Sequence, residues 1–561
     1  MNKKWEFYEK DEDTIKTVQE QFKISRLLST IVVNKGLKTK QEIEVFLNPT
    51  RKDFHDPYLM PDMEIAVNRI IKAIENQEKV IIYGDYDVDG ITSITVLKKF
   101  LADRGLNVAE YIPNRLDEGY GLNKAAIEKI VDEKYQLMIT VDCGISGIEE
   151  IDYANSLGLE TIVTDHHEPT EKLPNAIAVV DAKRKDNKYP FNQLAGVGVV
   201  FKLIQAIGMK YNIEEKEYLK YLDLVCVGTI SDIVPLVDEN RVIAKLGLKL
   251  VEVTRNIGLK TLLSLIGYKK IDSSAISFGV APRINACGRM GHEKDALQLF
   301  LTENIVEATS ISKKLNEYNR QRQDTEKRIF DEVVLKIERD EKDKPCIVLA
   351  DENWHHGVIG IVSSKVTEMY YKPSILICFE GQEGKGSGRS VPGFDLHEAL
   401  TKCDKNVDRF GGHAMAIGIS VNKNNFNNFK ADFEQYANNA NIKELTPIIK
   451  VDETITIKDM QVDVVNELSK LEPFGEANKM PIFMYKNLRI NSIRALSEGK
   501  HLKLTLKDDN LIIEAIGFNM GYLVDEYLLG DKVDVVGNLE INSFNGRESV
   551  QINLKDIRKS Y

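Results

Sequence analysis

The sequence predicts a multidomain α/β protein that ends in a small β-barrel. Three observations lead there. The chain has 561 residues, more than the roughly 250–300 that a single hydrophobic core organises. From 79 to about 182, apolar strand-like runs alternate with helical stretches, the rhythm of a mostly parallel sheet covered on both faces. From about 445 onward, short strands separated by turn residues take over.

Taken in order, residues 1–78 read as an N-terminal helical lead-in, with Ser25-Arg26-Leu27-Leu28 and Glu42-Ile43-Glu44-Val45-Phe46-Leu47 as short helix candidates. The first α/β domain spans 79–302. Its strands are expected at 79–83, 108–112, 137–141, 160–164 and 177–181, and its helices include 91–103, 122–133 and 147–157. Residues 195–270 read as further helices of the same domain. The stretch 303–340 is charged and free of Pro and Gly. Ile311 and Leu315 share one helical face, and Tyr318 extends it by three, so a long connecting helix is expected. A second α/β domain, 341–442, opens on Pro345-Cys346-Ile347-Val348-Leu349-Ala350, with a strand at 374–379 and helices at 357–370 and 395–403. Residues 443–561 carry strand candidates at 481–485, 500–506, 511–517, 532–538 and 549–554. Lys507-Asp508-Asp509-Asn510 and Asn545-Gly546 supply turns between them. About five short strands in roughly 110 residues suggest a barrel, with the oligonucleotide-binding type as leading candidate.

The composition, 43% hydrophobic and 29% charged, is that of an ordinary globular protein. No segment approaches the roughly 20 apolar residues that span a bilayer, and the start lacks the apolar core of a secretion signal. Membrane association is therefore not expected. Six cysteines lie far apart with no CxxC pair. They read as reduced, buried thiols of a cytoplasmic enzyme, neither a zinc site nor a disulfide framework. A formal net charge of -11 and a pI near 5.6 argue against coating nucleic acid by bulk electrostatics. Any nucleic-acid contact has to follow a local basic track.

Asp85, Asp87 and Asp89, in Tyr83-Gly84-Asp85-Tyr86-Asp87-Val88-Asp89-Gly90, follow the apolar run Lys79-Val80-Ile81-Ile82. They fall at the C-terminal end of a strand, where open α/β sheets place their ligands. Three carboxylates so close together repel one another, and cations relieve that repulsion. Thr164-Asp165-His166-His167 occupies the same kind of position after Thr161-Ile162-Val163; Asp142 follows Met138-Ile139-Thr140-Val141, and Asp232 follows a predicted helix. Mixed carboxylate and imidazole ligands suit Mn²⁺ or Mg²⁺. Two such ions can activate water and stabilise the leaving oxygen of a phosphoryl transfer. A calcium loop is excluded, because the twelfth position from Asp85 is Val96 and the preceding element is a strand. The turn also lacks the G-x-G-x-x-G of a dinucleotide site. The bland alternative, helix caps and turn formers, accounts easily for one Asp and poorly for three.

Phosphate-binding candidates are spread more widely. Gly386-Ser387-Gly388-Arg389-Ser390 reads as an anion nest of flexible amides, a hydroxyl and a guanidinium. Gly411-Gly412-His413 is similar, as is Pro282-Arg283-Ile284-Asn285 with Arg289. Trp354-His355-His356-Gly357 precedes a helix whose N-terminus suits a phosphate. Each is weak alone, since glycines often mark turns. In the barrel, Phe518, Phe544, Lys503 and Arg547 offer an aromatic and basic path for bases and phosphates. Core aromatics and ordinary surface charges are the competing reading.

Together, Asp165-His166-His167, the Asp85–Gly90 loop, Asp142 and Asp232 resemble the DHH phosphoesterases. Trp354-His355-His356-Gly357-Val358-Ile359-Gly360, Gly386–Ser390 and Gly411-Gly412-His413 look like their associated DHHA1 domain. With Pro282-Arg283-Ile284-Asn285-Ala286-Cys287-Gly288-Arg289-Met290 and the terminal barrel, the chain is similar from about 50 to 555 to the members that degrade single-stranded DNA. The triplet alone would identify only the superfamily. The resemblance implies a DHH phosphoesterase domain with a parallel sheet, a long connecting helix, a DHHA1 α/β domain and a C-terminal OB-type β-barrel. It implies a metal-dependent exonuclease that releases 5′-mononucleotides from single-stranded DNA, 5′-to-3′, in recombination and repair. Asp85, Asp87, Asp89, Asp142, His166 and Asp232 are implied as ligands of two Mn²⁺ or Mg²⁺ ions, with Asp142 between them. Asp142, His166 and His167 are the implied catalytic residues, His167 placing the scissile phosphate. Arg115, Ser387 and Arg389 match residues that hold the 5′ phosphate, and Arg283 and His413 are expected at backbone phosphate or catalytic-site oxygens. Single-stranded DNA is the implied partner, with a single-strand-binding protein and a helicase beside it.

Two departures stand out. Many DHH enzymes carry a histidine four residues before the middle loop aspartate, where this chain has Tyr83. The chain also reaches no further than the barrel, so partner binding by an added C-terminal domain is not carried over. Two other functions compete. A hydrolase of short oligonucleotides or cyclic dinucleotides fits the acids but not the barrel and long helix. An inactive DNA-binding scaffold would require lost metal ligands, and the acid and histidine set is intact.

Overall fold

The computed structural model describes residues 3–560, apart from 116, 117, 120, 441, 443, 444, 545 and 546. The chain folds into two compact units. The larger comprises Pro57–Asp232 and Leu250–Pro447; the other comprises the residues up to Asp56, Ile233–Lys249 and the residues from Ile448 on.

In the larger unit a five-stranded sheet runs in the order 108–111, 80–84, 137–141, 160–164, 178–180, every pair parallel. Val80–Gly84 and Leu137–Val141 are buried at every position, which is why they read as continuous apolar runs without alternation. The expected strands agree with these to within a residue or two. The helix Val88–Ala102 follows the first of them, and Asp87 caps it by accepting from the Gly90 amide at 3.1 Å. That helix is buried on most of its faces against Gly196–Lys210 and Leu222–Ser231. The acid loop is therefore clamped between sheet and helices.

The connecting helix spans Ile305–Lys336, capped at its start by Asn304. Its buried stripe runs through Ala308, Ile311, Leu315, Asn319, Glu326, Ile329 and Val333. Tyr318, expected on that face, lies to its side instead. Its hydroxyl donates to Asp295 at 2.9 Å and its ring stacks on His292. A polar Asn319 holds the buried position, a swap that apolar periodicity cannot reveal.

The second sheet of this unit runs 409–413, 416–422, 383–389, 374–380, 347–351, with only the last pair parallel. Here the structure corrects the sequence reading. Gly386-Ser387-Gly388-Arg389 is a central strand, not a nest, and its backbone is paired on both sides. A Cβ at Gly386 would stand 2.7 Å from both Ile377 and Ile419, so these glycines admit bulky neighbours from the adjacent strands. Gly411-Gly412-His413 likewise lies on a strand.

In the other unit, strands 483–496, 501–508, 511–517, 547–559 and 532–544 pair in that order, and 483–496 closes on 532–544 into a five-stranded barrel. Three of these strands, 483–496, 532–544 and 547–559, are longer than the sequence suggests. A register shift between Tyr485 and Leu488, with Asn487 at φ 56°, breaks the period-two pattern within 483–496. The helices Glu12–Phe22, Arg26–Asn34 and Lys40–Leu47 belong to this unit. A strand Lys4–Phe7, absent from the helical lead-in expected there, pairs in parallel with Ile448–Val451. Arg241, 1% exposed, ties the segment 233–249 in by donating to the carbonyls of Phe46, Leu471 and Glu472. The Asn545-Gly546 turn and the side chains of Phe544 and Arg547 lie outside the described residues.

Candidate metal centre and phosphate pocket

Each acid of the first cluster reaches the site because a strand ends beneath it. Asp85 leaves Val80–Gly84, Asp142 leaves Leu137–Val141, and Asp165-His166-His167 leaves Glu160–Thr164. Asp232 arrives from another direction, at the C-terminal end of Leu222–Ser231. Three sets of donor atoms come within 4.8 Å of one another: Asp85, Asp87 and Asp142; Asp89, His166 and Asp232; and Asp142, His166 and His167. His166 Nε2 stands 3.1 Å from Asp142, 3.7 Å from Asp232 and 3.8 Å from Asp89. Asp142 and His166 thus join the sets, and all six expected ligands converge.

The backbone holds this arrangement in place. Asp89 accepts from the amides of Gly196 and Val197 at 2.6 and 2.7 Å, one on each oxygen. Asp142 takes a left-handed φ of 58°, a conformation Asp tolerates better than most residues. Gly196 leaves it room, since a Cβ there would stand 2.7 Å from the Asp142 Cβ. Asp87 both caps its helix and faces the cluster, so capping does not remove it from the acid set.

Electrostatics show what the cluster lacks. Burial, then the neighbouring acids, raise the carboxyls of Asp85, Asp142 and Asp232 well above the usual range. Burial and Asp87 push Asp89 up to about 7, against two amides that hold it down. Burial and then His167 pull His166 down to about 3, leaving a neutral imidazole. A buried Asp85 oxygen has no hydrogen-bond partner. Oxygen-rich donors with one neutral imidazole, repelling one another and left unsatisfied, fit hard or borderline divalent cations.

Asp165 does a different job. It is fully buried and accepts from the amides of Ile145, His166 and His167 and from His167 Nδ1, the last at 2.7 Å. Burial opposes its ionisation, but these bonds and both histidines outweigh burial and hold its carboxyl low. Burial works against the His167 charge as well; the Asp165 bond and charge prevail and raise its pKa. Protonation of His167 is thus favoured, and Nδ1 is bonded to Asp165. The triplet contributes one buried anchor, one imidazole inside the acid cluster and one oriented imidazole beside it.

Tyr83 does not replace a ligand. It lies in the apolar core, stacked on Tyr111, with its hydroxyl donating to Gly121 O at 2.9 Å.

The cationic neighbourhood forms around Arg289. Burial, then Arg115, Arg322 and Arg389, push its guanidinium down to about 10. Arg289 donates to Gly357 O at 2.9 Å, at the start of the helix His356–Tyr370. Arg389 donates to Ser387 Oγ at 2.9 Å, and the two pack against Gly360 of that helix. Ser387 and Arg389 are thereby joined, through side chains and not a loop nest, and Arg115 and Arg389 both act on Arg289. Arg322 is held by Glu326 and Asn319. The centre of this group, Arg289, reads in the sequence as a companion of the Pro282-Arg283-Ile284-Asn285 phosphate candidate.

Other expected residues lie elsewhere. Arg283 donates to Gly279 O and Asn316 Oδ1, engaged with its own helix and the connecting helix. His413 is exposed and accepts from the Met415 amide at 3.3 Å. In the barrel unit, Phe518 is 55% exposed and meets His501 edge-on. Lys503 of the supposed basic path is paired with Glu514 at 2.8 Å, which removes it as a free cation.

Comparisons with known proteins agree with this construction. The sequence profile of the DHH family N-terminal domain matches residues 79–229, that of the DHHA1 domain matches 343–439, and that of the RecJ OB domain matches 451–556. A Bacillus subtilis protein, single-stranded-DNA-specific exonuclease RecJ, is 37% identical over 559 residues, covering 99% of this chain and 70% of that protein. Its Thermus thermophilus counterpart is 33% identical over 91% of this chain and 73% of that protein. The crystal structure of RecJ in complex with Mn²⁺ from Thermus thermophilus matches with a TM-score of 0.87 at 29% identity, covering 100% of this chain and 80% of that one. The Mg²⁺ complex from the same organism gives 0.82 at 28% identity, over 100% and 79%.

Proposed function

Because the chain belongs to the RecJ family of single-stranded-DNA-specific exonucleases, we propose that Asp85, Asp87 and Asp142 hold one divalent ion and that Asp89, His166 and Asp232 hold another, with Asp142 between them. The observation that carries this is the convergence of three donor sets within 4.8 Å. The enzyme is a metal-dependent exonuclease that removes 5′-mononucleotides from single-stranded DNA, 5′-to-3′, with Mn²⁺ or Mg²⁺ as cofactor. Two such ions supply Lewis-acid activation of water and neutralise charge on the phosphate.

The protein's own groups do the rest. Asp165 favours the protonated form of His167 and fixes its ring through Nδ1, and the oriented ring donates to an oxygen of the scissile phosphate. Arg389, Ser387 and Arg115 bind the 5′-terminal phosphate; a guanidinium bonds a dianionic monoester more strongly than a hydroxyl. Seating the strand by its end makes the cut exonucleolytic. Arg283 and His413 take phosphates further along the strand, and Phe518 offers a stacking face on the barrel.

A duplex has to be opened before such an enzyme acts, so a helicase and a single-strand-binding protein are the proposed partners in recombination and repair. No helix among the described residues is long and apolar enough to cross a membrane. Six buried cysteines, held as thiols, support a cytoplasmic setting. The test is a time course with Mn²⁺ on a long 5′-phosphorylated strand labelled at its 3′ end, beside a blunt duplex. Labelled strands that shorten from the 5′ side with the duplex spared support the reading. Label released as a mononucleotide in the first turnovers, while the rest of the strand persists unlabelled, overturns its polarity.

A further inference from the structure

The end-binding pocket and the metal loop meet at one side chain. Tyr86 sits between Asp85 and Asp87 and is 8% exposed. The Arg115 guanidinium lies 4.9 Å from the centroid of its ring. On another side the ring is backed by Gly288 of the helix Ala281–Arg289, where a Cβ would stand 3.2 Å from Tyr86 Cδ2. The next residue, Arg289, is bonded to Gly357 O.

An aromatic face suits this position for a chemical reason. A carboxylate partner would orient Arg115 but also neutralise it. A π face holds a guanidinium by its quadrupole and leaves the N–H edges and the full charge to a ligand. Asp85 and Asp87 flank the ring on either side in sequence and would otherwise compete for that cation.

We propose that Tyr86 is a positioning residue for 5′-end recognition: its ring holds the Arg115 guanidinium outward, toward the terminal phosphate and away from the acid loop. This rests on the reading of Arg115 as a 5′-phosphate ligand. Losing the ring lets the guanidinium turn to Asp85, which costs the terminal phosphate its partner.

The test compares kcat/KM, with Mn²⁺, on matched 5′-phosphate and 5′-hydroxyl strands for Tyr86→Phe, Tyr86→Leu, Tyr86→Met, Arg115→Ala and the Tyr86→Leu/Arg115→Ala double variant. The readout is the ratio of the two substrates, because a disturbed metal loop lowers both alike and leaves the ratio alone. Tyr86→Phe keeps the wild-type ratio. Tyr86→Leu and Tyr86→Met lower it roughly five- to thirtyfold, the range of a partly desolvated cation–π contact. The double variant falls no lower than Arg115→Ala, as coupled neighbours require. The rise in melting temperature on adding Mn²⁺ identifies which of the two apolar variants is folded, and either one suffices. If Arg115→Ala leaves the ratio unchanged, the end-recognition reading itself fails. If Arg115→Ala collapses the ratio while a folded Tyr86→Leu or Tyr86→Met keeps it, the role given to Tyr86 is wrong.

Discussion

Replacing Asp142 with Asn removes one charge from the middle of the acid cluster without changing its shape. Asp142 is 2% exposed and sits at φ 58°, where Asn is as comfortable as Asp and Ala is not. Burial and the charges of Asp89, Asp87, Asp85 and Asp232 all raise its carboxyl. Two unit charges about 5 Å apart repel by about 3 kcal/mol at an effective dielectric of 20. With some of the acids protonated, the relief on removing one is about 2–3 kcal/mol. An unfolding entropy of about 2.1 cal/mol/K per residue gives the larger unit a shift of roughly 1.3 °C per kcal/mol. The metal-free variant should therefore melt about 3–4 °C above metal-free wild type. Addition of Mn²⁺ should reverse the order, because ions that bind the folded state stabilise it by mass action, and the variant has lost the ligand shared by two sets. Turnover should fall to background. Scanning calorimetry at pH 8, with chelator and then with Mn²⁺, reads both effects. A metal-free Tm no higher than wild type, with the Mn²⁺-induced rise intact, would refute the repulsion argument and the bridging role together.

Three further perturbations act on separate parts of the site. Gly196→Ala puts a methyl group 2.7 Å from Asp142 Cβ; activity should drop at least about tenfold, the effect of roughly an ångström of misplacement, and a wild-type rate would show that the backbone gives way. Arg389→Ala should weaken discrimination between 5′-phosphate and 5′-hydroxyl ends by about 1.5–3 kcal/mol, while cleavage of strands already engaged changes little; single-turnover assays on both substrates decide it. Asp89 releases its proton near pH 7 when folded and near 3.8 when unfolded. The folded state thus holds a proton that the unfolded state has lost, and metal-free stability should fall as pH rises from about 4 to 7, by at most about 1.4 kcal/mol per pH unit. Mn²⁺ should cancel or invert that slope, because its ligands bind deprotonated; a metal-free Tm that climbs across this range would contradict the burial of these acids.

The parallel sheet and its acids were legible because both rest on local signals. Four-residue apolar runs announce buried strands, and an acid straight after such a run has few structural reasons to be there. The second sheet was less legible. Gly386, Gly388, Gly411 and Gly412 look like loop residues; Ile377 and Ile419 on the neighbouring strands explain Gly386, Ile375 and Ile417 explain Gly388, and a φ of 130° explains Gly412. The strand Lys4–Phe7 pairs with Ile448–Val451, more than 400 residues away, so no window around either segment contains the reason for it. The same distance problem hid Tyr86 and the central place of Arg289. Their roles arise where the helix Ala281–Arg289 meets Gly357 and the acid loop, three segments far apart in sequence. Arg283 was legible only in part: its motif pointed to a phosphate, and nothing in that motif reveals the bonds its guanidinium makes to Gly279 and Asn316.

The central claim is that two ions sit in one acid and imidazole cluster shared through Asp142. The most direct measurement is a Mn²⁺ titration of the purified, metal-free chain, counting bound ions at equilibrium and measuring exonuclease rate on the same samples. The account predicts two ions per wild-type chain, a rate that follows occupancy of the second, and no second ion in Asp142→Asn. A full rate at one ion per chain, or two ions retained in Asp142→Asn, would contradict it.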